Sequence, residues 1–237
     1  NPVTLTHSTI RQSDGYGIYV TGSAPILEDN TITDNATYGV YLGSGTGATK
    51  PTFQRNTVSN NGAYPLHLEL TNFPSALTGN TYTTNAIQAI ELVGGTFTTD
   101  TTLPFDGLPY VVTSTIAVYK YLDPPVTLTI APGVRLQFAA ATGLLVSGGN
   151  ASYPGALFAQ GSASQPITLT ANSASPTPGF WNGLSVSDGG PDASVLCDYC
   201  VIEYGGADSA NANVYLNTSN PVTLTHSTIR QSDGYGI

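Results

Sequence analysis

The sequence predicts an all-β solenoid, in which short strands wind into stacked coils. Three observations predict it: an inner repeat of about 24 residues, apolar columns in the aligned repeats, and a segment that occurs twice. The repeats are short, β-rich and separated by Gly, Asn and Pro, and they are too short for a propeller blade. A period of this length fits one coil of a solenoid.

The inner repeat is clearest in four stretches that align without gaps. They are "STIRQSDGYGIYV", "NTITDNATYGVYL", "NTVSNNGAYPLHL" and "NTYTTNAIQAIEL", which begin at Ser8, Asn30, Asn56 and Asn80. Because side chains alternate along a strand, three columns of the alignment are predicted to face inward. They are Val214, Ile18, Val40, Leu66 and Ile90; Leu216, Val20, Leu42, Leu68 and Leu92; and Ile202, Ile10, Ile32, Val58 and Tyr82. Asn30, Asn56 and Asn80 fall at a bend, where stacked amides can hydrogen-bond from coil to coil.

A longer repeat is visible at the two ends of the chain. The segment "NPVTLTHSTIRQSDGYGI" occupies residues 1–18 and returns unchanged at 220–237, which defines a 219-residue block. Such a block has room for about nine coils of ~24 residues. At about 4.8 Å per coil, nine coils rise ~43 Å. We expect residues 1–237 to form a single solenoid within a longer array, with 220–237 as the start of the next block. Residues 94–125 depart from the repeat and are predicted to form an irregular coil with a loop.

Composition excludes several classes of partner. Charged residues are 9% of the chain and the net charge is −9, whereas nucleic acid and anionic membranes require clustered Lys and Arg. No apolar run approaches the roughly 20 residues of a membrane span. A neutral polar surface favours an extracellular or cell-surface protein. Three sequons, at Asn35, Asn150 and Asn217, are possible glycosylation sites.

The coil motifs resemble a known group of proteins. The N-T-[IVY] coils, "LTIAPGVRLQF" at Leu128 and "GALFAQGSASQPITLTANSASPTPGFWNGLSV" at Gly155 are similar to right-handed parallel β-helix repeat proteins of prokaryotic cell surfaces. The resemblance implies a right-handed parallel β-helix. It leaves function open, since that group includes polysaccharide lyases, glycoside hydrolases and adhesins.

Cys197 and Cys200 form the motif "CDYC". A redox role requires a strand-loop-helix setting that the pattern lacks, and a zinc site requires two further ligands. In the alignment Cys197 shares the inward column of Leu5 and Leu27, and Cys200 takes the bend position of Asn30. We predict a local disulfide, with two buried free thiols as the alternative. No metal or cofactor is predicted.

Outward positions carry an aromatic column formed by Tyr19, Tyr41 and Tyr215. A second tyrosine set, Tyr16, Tyr38 and Tyr64, precedes the Gly or Pro of each coil. Such columns stiffen a sheet or form a platform for sugar rings. A glycosidase requires two facing carboxyl groups, but Asp34 has no acidic neighbour in its column, and no catalytic residue is predicted.

Together these patterns predict a structural protein, a component of an extracellular fibre or stalk. We expect the block to associate end to end with identical blocks. These blocks are either consecutive parts of one chain or separate chains that stack. The alternatives are a carbohydrate-binding adhesin, with glycans as partners, and a polysaccharide lyase or hydrolase.

Overall fold

The described residues form two compact units of short parallel strands. The structure is a computed structural model of the chain, and it describes residues 3–45, 49–122, 124–188 and 193–237. The first unit comprises Asn1–Val93 with Phe105–Tyr110, and the second comprises Gly94–Pro104 with Val111–Ile237. The single solenoid expected over residues 1–237 stays a prediction.

The first unit winds through four coils of three strands each, with one short 3-10 helix at Leu70–Asn72. Its strands are β1 (Thr4–Thr6), β2 (Thr9–Arg11), β3 (Ile18–Val20), β4 (Ile26–Glu28), β5 (Thr31–Thr33), β6 (Val40–Leu42), β7 (Thr52–Gln54), β8 (Thr57–Ser59), β9 (Leu66–Glu69), β10 (Ala76–Thr78), β11 (Thr81–Thr83) and β12 (Ile90–Val93). Every third strand pairs in parallel, which gives the series β1-β4-β7-β10, β2-β5-β8-β11 and β3-β6-β9-β12.

The registers of this unit follow the sequence alignment. Leu5 pairs with Leu27, Leu27 with Phe53 and Phe53 with Leu77, so the coils advance in the same steps as the aligned stretches. The predicted inward columns form the core, in which members such as Val40, Leu66 and Ile90 are fully buried. The alternation of strand side chains therefore predicted the core of the first unit correctly. Leu216 of the second unit was also predicted to face inward, but it is 39% exposed.

Two-residue bends separate the first two strands of each coil, and the first residue of each bend has a positive φ. The bend residues His7, Asp29, Arg55 and Gly79 all have φ between 51° and 70°. This left-handed region favours Gly, Asn and Asp, and a stack of such bends turns the chain sharply at the same place in every coil. The alignment placed a bend here but did not predict its left-handed backbone.

The second unit contains longer coils. Its strands are β13 (Gly95–Phe97), β14 (Thr101–Leu103), β15 (Tyr110–Val112, whose first residue belongs to the first unit), β16 (Ile116–Val118), β17 (Val126–Ile130), β18 (Arg135–Phe138), β19 (Gly143–Val146), β20 (Gly155–Gln160), β21 (Ile167–Ala171), β22 (Gly183–Ser187), β23 (Ser194–Asp198), β24 (Cys200–Glu203), β25 (Val214–Asn217), β26 (Val222–Thr225) and β27 (Thr228–Arg230). They pair in the parallel series β13-β16-β19-β22-β25, β14-β17-β20-β23-β26 and β18-β21-β24-β27.

The second unit departs from the uniform coil length that the sequence predicts. Leu103 pairs with Ile130, Ile130 with Ala159, Ala159 with Cys197 and Cys197 with Leu224. Each of these steps is longer than any step in the first unit, and the step that ends at Cys197 is the longest. The added residues lie in connections such as 172–182, between β21 and β22. Loops at bends lengthen a coil without changing the pairing of its strands.

Residues 94–125, which were predicted to form an irregular coil with a loop, contribute the short strands β13, β14, β15 and β16. Residues 104–109 form the loop between β14 and β15, and residues 119–122 follow β16. In the described ranges, no helix has the length and apolar character required to cross a membrane.

Candidate functional site

The first copy of the repeated segment pairs with the coil that follows it. In β1 and β2, Leu5 lies opposite Leu27 and Ile10 opposite Ile32. The carbonyl of Val3 accepts a hydrogen bond from the amide of Ile26 at 2.8 Å. In the described residues, β1 and β2 lie at one edge of their parallel sheets.

The second copy pairs with the coil that precedes it. In β26 and β27, Leu224 lies opposite Cys197 and Ile229 opposite Ile202. Leu224 and Ile229 are the copies of Leu5 and Ile10, and the same side chains are half-buried against the neighbouring coil in both places.

The two copies use different backbone groups. The second copy accepts hydrogen bonds at the carbonyls of Pro221 and Thr225, the copies of Pro2 and Thr6. The first copy accepts at Val3, which lies between those positions. Carbonyls of successive residues in a strand point to opposite edges, so the copies are paired through opposite edges of the same segment.

Side chains of the second copy add specific contacts to the preceding coil. Nε and Nη2 of Arg230 lie 2.8 and 2.7 Å from Oε2 of Glu203, which is 6% exposed. The Thr170 hydroxyl donates to the other oxygen of this carboxylate at 2.9 Å. Arg11, the first copy of Arg230, has no carboxylate within ion-pair distance among the described residues.

The histidine of the repeated segment follows the same pattern. Nδ1 of His226 lies 2.8 Å from Oδ1 of Asp198, and its ring stacks on Tyr199 at 4.6 Å between centroids. Hydrogen bonds from His226 and Thr225 hold the pKa of Asp198 below its usual range. These partners could not be predicted from the sequence, because the pairs form only between successive coils.

A ladder of asparagines confirms the predicted stack at the bend. Nδ2 of Asn30 donates to Oδ1 of Asn56 at 3.1 Å, and Nδ2 of Asn56 donates to Oδ1 of Asn80 at 3.2 Å. The Asp106 carboxylate ends the ladder by accepting from Asn80 Nδ2 at 2.8 Å. At the other end, the amide of Ser8 donates to Asn30 Oδ1 at 3.0 Å, so the repeated segment takes part in the ladder.

A second ladder runs through Asn35, Asn61 and Asn85. Its side-chain hydrogen bonds are 2.9 and 2.8 Å long, and all three residues are buried. The three positions share one column of the alignment, so the signal was present in the sequence. Each amide satisfies backbone groups of a neighbouring coil that would otherwise be buried without partners.

The aromatic column consists of stacked rings in the first unit. Tyr19 stacks on Tyr41 at 5.0 Å and Tyr41 on His67 at 3.9 Å, and His67 Nδ1 lies 2.6 Å from Oε2 of Glu91. The stacked faces contact one another, which leaves mainly ring edges towards solvent. Tyr215 lies in the second unit on β25, opposite Ser185, and is not part of the described stack.

The second tyrosine set reinforces this column. Tyr16 stacks on Tyr38 at 5.6 Å, and Tyr38 on Tyr64 at 6.1 Å. Burial, followed by the nearby Glu91 carboxylate, raises the pKa of Tyr38 to about 12. Burial also raises the pKa of Tyr41 and Tyr64. This geometry supports cross-coil stiffening rather than a flat platform for sugar rings.

Comparison with known proteins agrees with this architecture. Residues 1–103 match the family model described as a right-handed beta helix region. No curated protein and no solved structure is significantly similar to the chain. Parallel strands stack coil upon coil in both units.

Both units have the fold of a right-handed parallel β-helix.

The cysteines of this β-helix are two buried free thiols, so the predicted disulfide is wrong and the alternative is observed. Cys197 lies on β23 and is buried, as the alignment predicted. Cys200 was predicted at the bend but begins β24 directly after the bend residue Tyr199, and its amide donates to Ser227 Oγ at 3.0 Å. A hydrogen bond with Cys200 and burial raise the pKa of the Cys197 thiol. In the described ranges, no group of three His, Cys, Asp or Glu residues is placed to hold a metal ion.

The three sequons of the β-helix differ in accessibility. Asn35 is 2% exposed and its side-chain nitrogen is bonded within the second ladder, so the glycosylation predicted there is wrong for the folded coil. Asn150 and Asn217 are exposed. For these two asparagines, glycosylation stays a prediction.

Proposed function

We propose that this β-helix is a structural component of an extracellular fibre or stalk, built from 219-residue blocks that follow one another end to end. One observation carries the proposal: the two copies of the repeated segment pair through opposite edges, with the same side chains packed against the neighbouring coil. A copy with neighbours on both sides satisfies both edges at once. The segment then becomes an ordinary coil within a stack.

The side chains of the repeated segment also suit two neighbours. Towards the preceding coil, Arg230 binds Glu203 and His226 binds Asp198. Towards the following coil, the amide of Ser8 donates to Asn30. The two sets of contacts engage different atoms of the segment, so one copy can make both.

The composition supports an extended assembly outside the cell. In a stack of identical blocks, equivalent residues recur at regular intervals, and a charged fraction of 9% limits repulsion between them. The partner is a further copy of the block, joined covalently in tandem or stacked as a separate chain.

Electron microscopy of the native, unfractionated material tests the proposal. The longer coils of the second unit reduce the number of coils in a block slightly. Unbranched fibres are therefore expected with an axial repeat of ~40 Å, the rise of roughly eight or nine coils. Denaturing electrophoresis then separates one long chain from many short ones. Discrete particles of single-block size would contradict the proposal.

A further inference from the structure

The end of β25 is the uncovered part of an otherwise buried column. Val118, Val146 and Val186 lie opposite one another on successive strands, and Leu216 of β25 lies opposite Val186. The three valines are at most 3% exposed, whereas Leu216 is 39% exposed. In the described residues β25 is the last strand of its series, so the inward column is open at Leu216.

Tyr215, the neighbour of Leu216, is 40% exposed. We call these two side chains the β25 surface. Val214, at the start of the same strand, is instead fully buried. The cover over β25 therefore stops one residue before the β25 surface.

The repeated segment supplies the cover over Val214. The amide of Val214 donates to the carbonyl of Gly236 at 3.2 Å, and the amide of Asn213 donates to the carbonyl of Tyr235, also at 3.2 Å. A parallel pairing thus begins between β25 and the residues that end the second copy.

The first unit contains the same pairing one coil further on. There the amides of Gly17 and Ile18 donate to the carbonyls of Tyr38 and Gly39, both at 3.0 Å. The two acceptors are a Tyr-Gly pair, as are the two acceptors opposite β25. These bonds lead into β3 and β6, which pair in register, residue for residue.

This register predicts what lies opposite the β25 surface in a further block. Tyr235 and Gly236 are the copies of Tyr16 and Gly17, which continue into β3 (Ile18–Val20). A following block therefore places its residues 18–20 opposite residues 214–216.

We propose that the β25 surface is the docking site for β3 of a second copy of the block, with Leu216 against Val20 and the ring of Tyr215 on that of Tyr19. The inference rests on the proposed function, and it adds a contact between residues that lie outside the repeated segment. Tyr19 is 58% exposed, and it stacks on Tyr41 at 5.0 Å. The aromatic column of one block then continues through Tyr215 of the block before it.

The chemistry of both surfaces suits this occupant. The four side chains that meet are uncharged, so no ion loses its hydration when they are covered. The occupant has to be a strand in one register, because a slip of one residue exchanges the inward and outward side chains. The pairing that already begins at Val214 sets this register.

Hydroxyl-radical footprinting with mass spectrometry measures the exposure of these side chains. It compares the 237-residue chain with a longer chain of two consecutive 219-residue blocks followed by the repeated segment. In the longer chain each site occurs twice, and only Tyr215 of the first block meets Tyr19 of the second. Phe158 is the matched control, because it is 40% exposed and lies on β20, which has a strand on each side.

Oxidation of Tyr215, Leu216 and Tyr19 should fall to about half in the longer chain, because one of the two copies of each is covered. Phe158 should be oxidised equally in both chains. Leu216→Asp in the first block places a charge against Val20, so it should return Tyr215 and Tyr19 to the level of the 237-residue chain. Phe158→Asp in the same block should leave the protection unchanged.

Unchanged oxidation of Tyr215 and Tyr19 in the longer chain would overturn the inference, and so would protection that survives Leu216→Asp. Protection found in native material but absent from the longer chain would assign the β25 surface to another partner and would also overturn it. Cryo-electron microscopy of the longer chain separates this failure from that of the proposed function. A middle copy paired on both edges beside an open β25 surface overturns the inference alone, whereas separated blocks overturn both.

Discussion

The two copies of the repeated segment have identical residues and different contacts. Arg230 binds a buried carboxylate and His226 binds Asp198, whereas Arg11 has no carboxylate partner among the described residues. The first copy instead contacts the following coil, where the amide of Ser8 donates to Asn30 of the asparagine ladder. The difference shows that the repeated segment can pair through either of its two edges. The position of the neighbouring coil determines which edge forms hydrogen bonds.

The largest effect is expected where a coil has neighbours on both edges. Asn56 accepts from the amide of Asn30 and donates to the carbonyl of Leu27 in the preceding coil, and it donates to Asn80 in the following one. Asn56→Ala leaves several buried groups without partners and should lower the free energy of unfolding by roughly 3–5 kcal/mol. Urea denaturation measures this loss.

Asn217→Ala is the matched control, because Asn217 is exposed. It should change the free energy of unfolding by less than about 0.5 kcal/mol. Equal effects of Asn56→Ala and Asn217→Ala would show that the ladder does not stabilise the coils.

The two arginines of the repeated segment test the comparison directly. Arg230→Ala leaves the buried Glu203 carboxylate without its cation and should cost about 1–3 kcal/mol. Arg11→Ala removes the same side chain where it has no carboxylate partner among the described residues, and should change stability by less than about 0.5 kcal/mol. Similar losses in the two variants, measured by urea denaturation, would refute the different roles of the two edges.

Alkaline pH should destabilise the stacked tyrosines of the first unit. The pKa of Tyr38 is raised to about 12 by burial and by Glu91, so the folded chain holds its proton where the unfolded chain loses it. Stability is fully present below the ordinary tyrosine pKa of about 10 and should fall as pH rises from about 10 to 12.

Thermal unfolding followed between pH 9 and 12 measures this loss. Tyr38→Phe keeps the ring and removes the ionisable hydroxyl, so its stability should fall less between about pH 10 and 12 than that of the unmodified chain. An identical pH profile for Tyr38→Phe would assign the loss to other groups.

The smallest effect on stability is expected when the hydrogen bond between His226 and Asp198 is removed. The His226 hydrogen bond lowers the pKa of this partly exposed carboxyl, so its contribution is present above the unfolded pKa of about 3.9 and is lost as pH falls through the folded value. The difference in melting temperature between the unmodified chain and His226→Ala should therefore narrow as pH falls below about 4. His7→Ala is the control, since the pKa of Asp29 beside it is lowered chiefly by Arg55. A difference that widened in acid would contradict this account of Asp198.

Much of the first unit could be predicted from sequence because its coils align without gaps. Aligned columns placed Val40, Leu66 and Ile90 in the core and predicted the ladder at Asn30. The same columns also contained the second ladder. Asn35 was instead interpreted as a glycosylation site, because the sequon is recognised from sequence alone and does not show whether the asparagine is buried.

The second unit and its contacts were harder to predict. Connections such as 172–182 interrupt the period, so a fixed step along the sequence misplaces the coils. The pair of Arg230 and Glu203 joins two coils that are distant in sequence, a spacing that no local motif indicates. The stacking of Tyr19 on Tyr41 is equally hidden, because a column of outward tyrosines has the same sequence whether or not its rings stack.

The central claim is that one copy of the repeated segment can pair on both edges at once. Cryo-electron microscopy of a chain with two consecutive 219-residue blocks tests it most directly, because the middle copy then has a coil on each side. We predict continuous parallel pairing through the middle copy, with its arginine on the glutamate of the preceding coil and its serine amide on the asparagine of the following one. A middle copy paired on one edge only, with the blocks separated at the other, would contradict the claim.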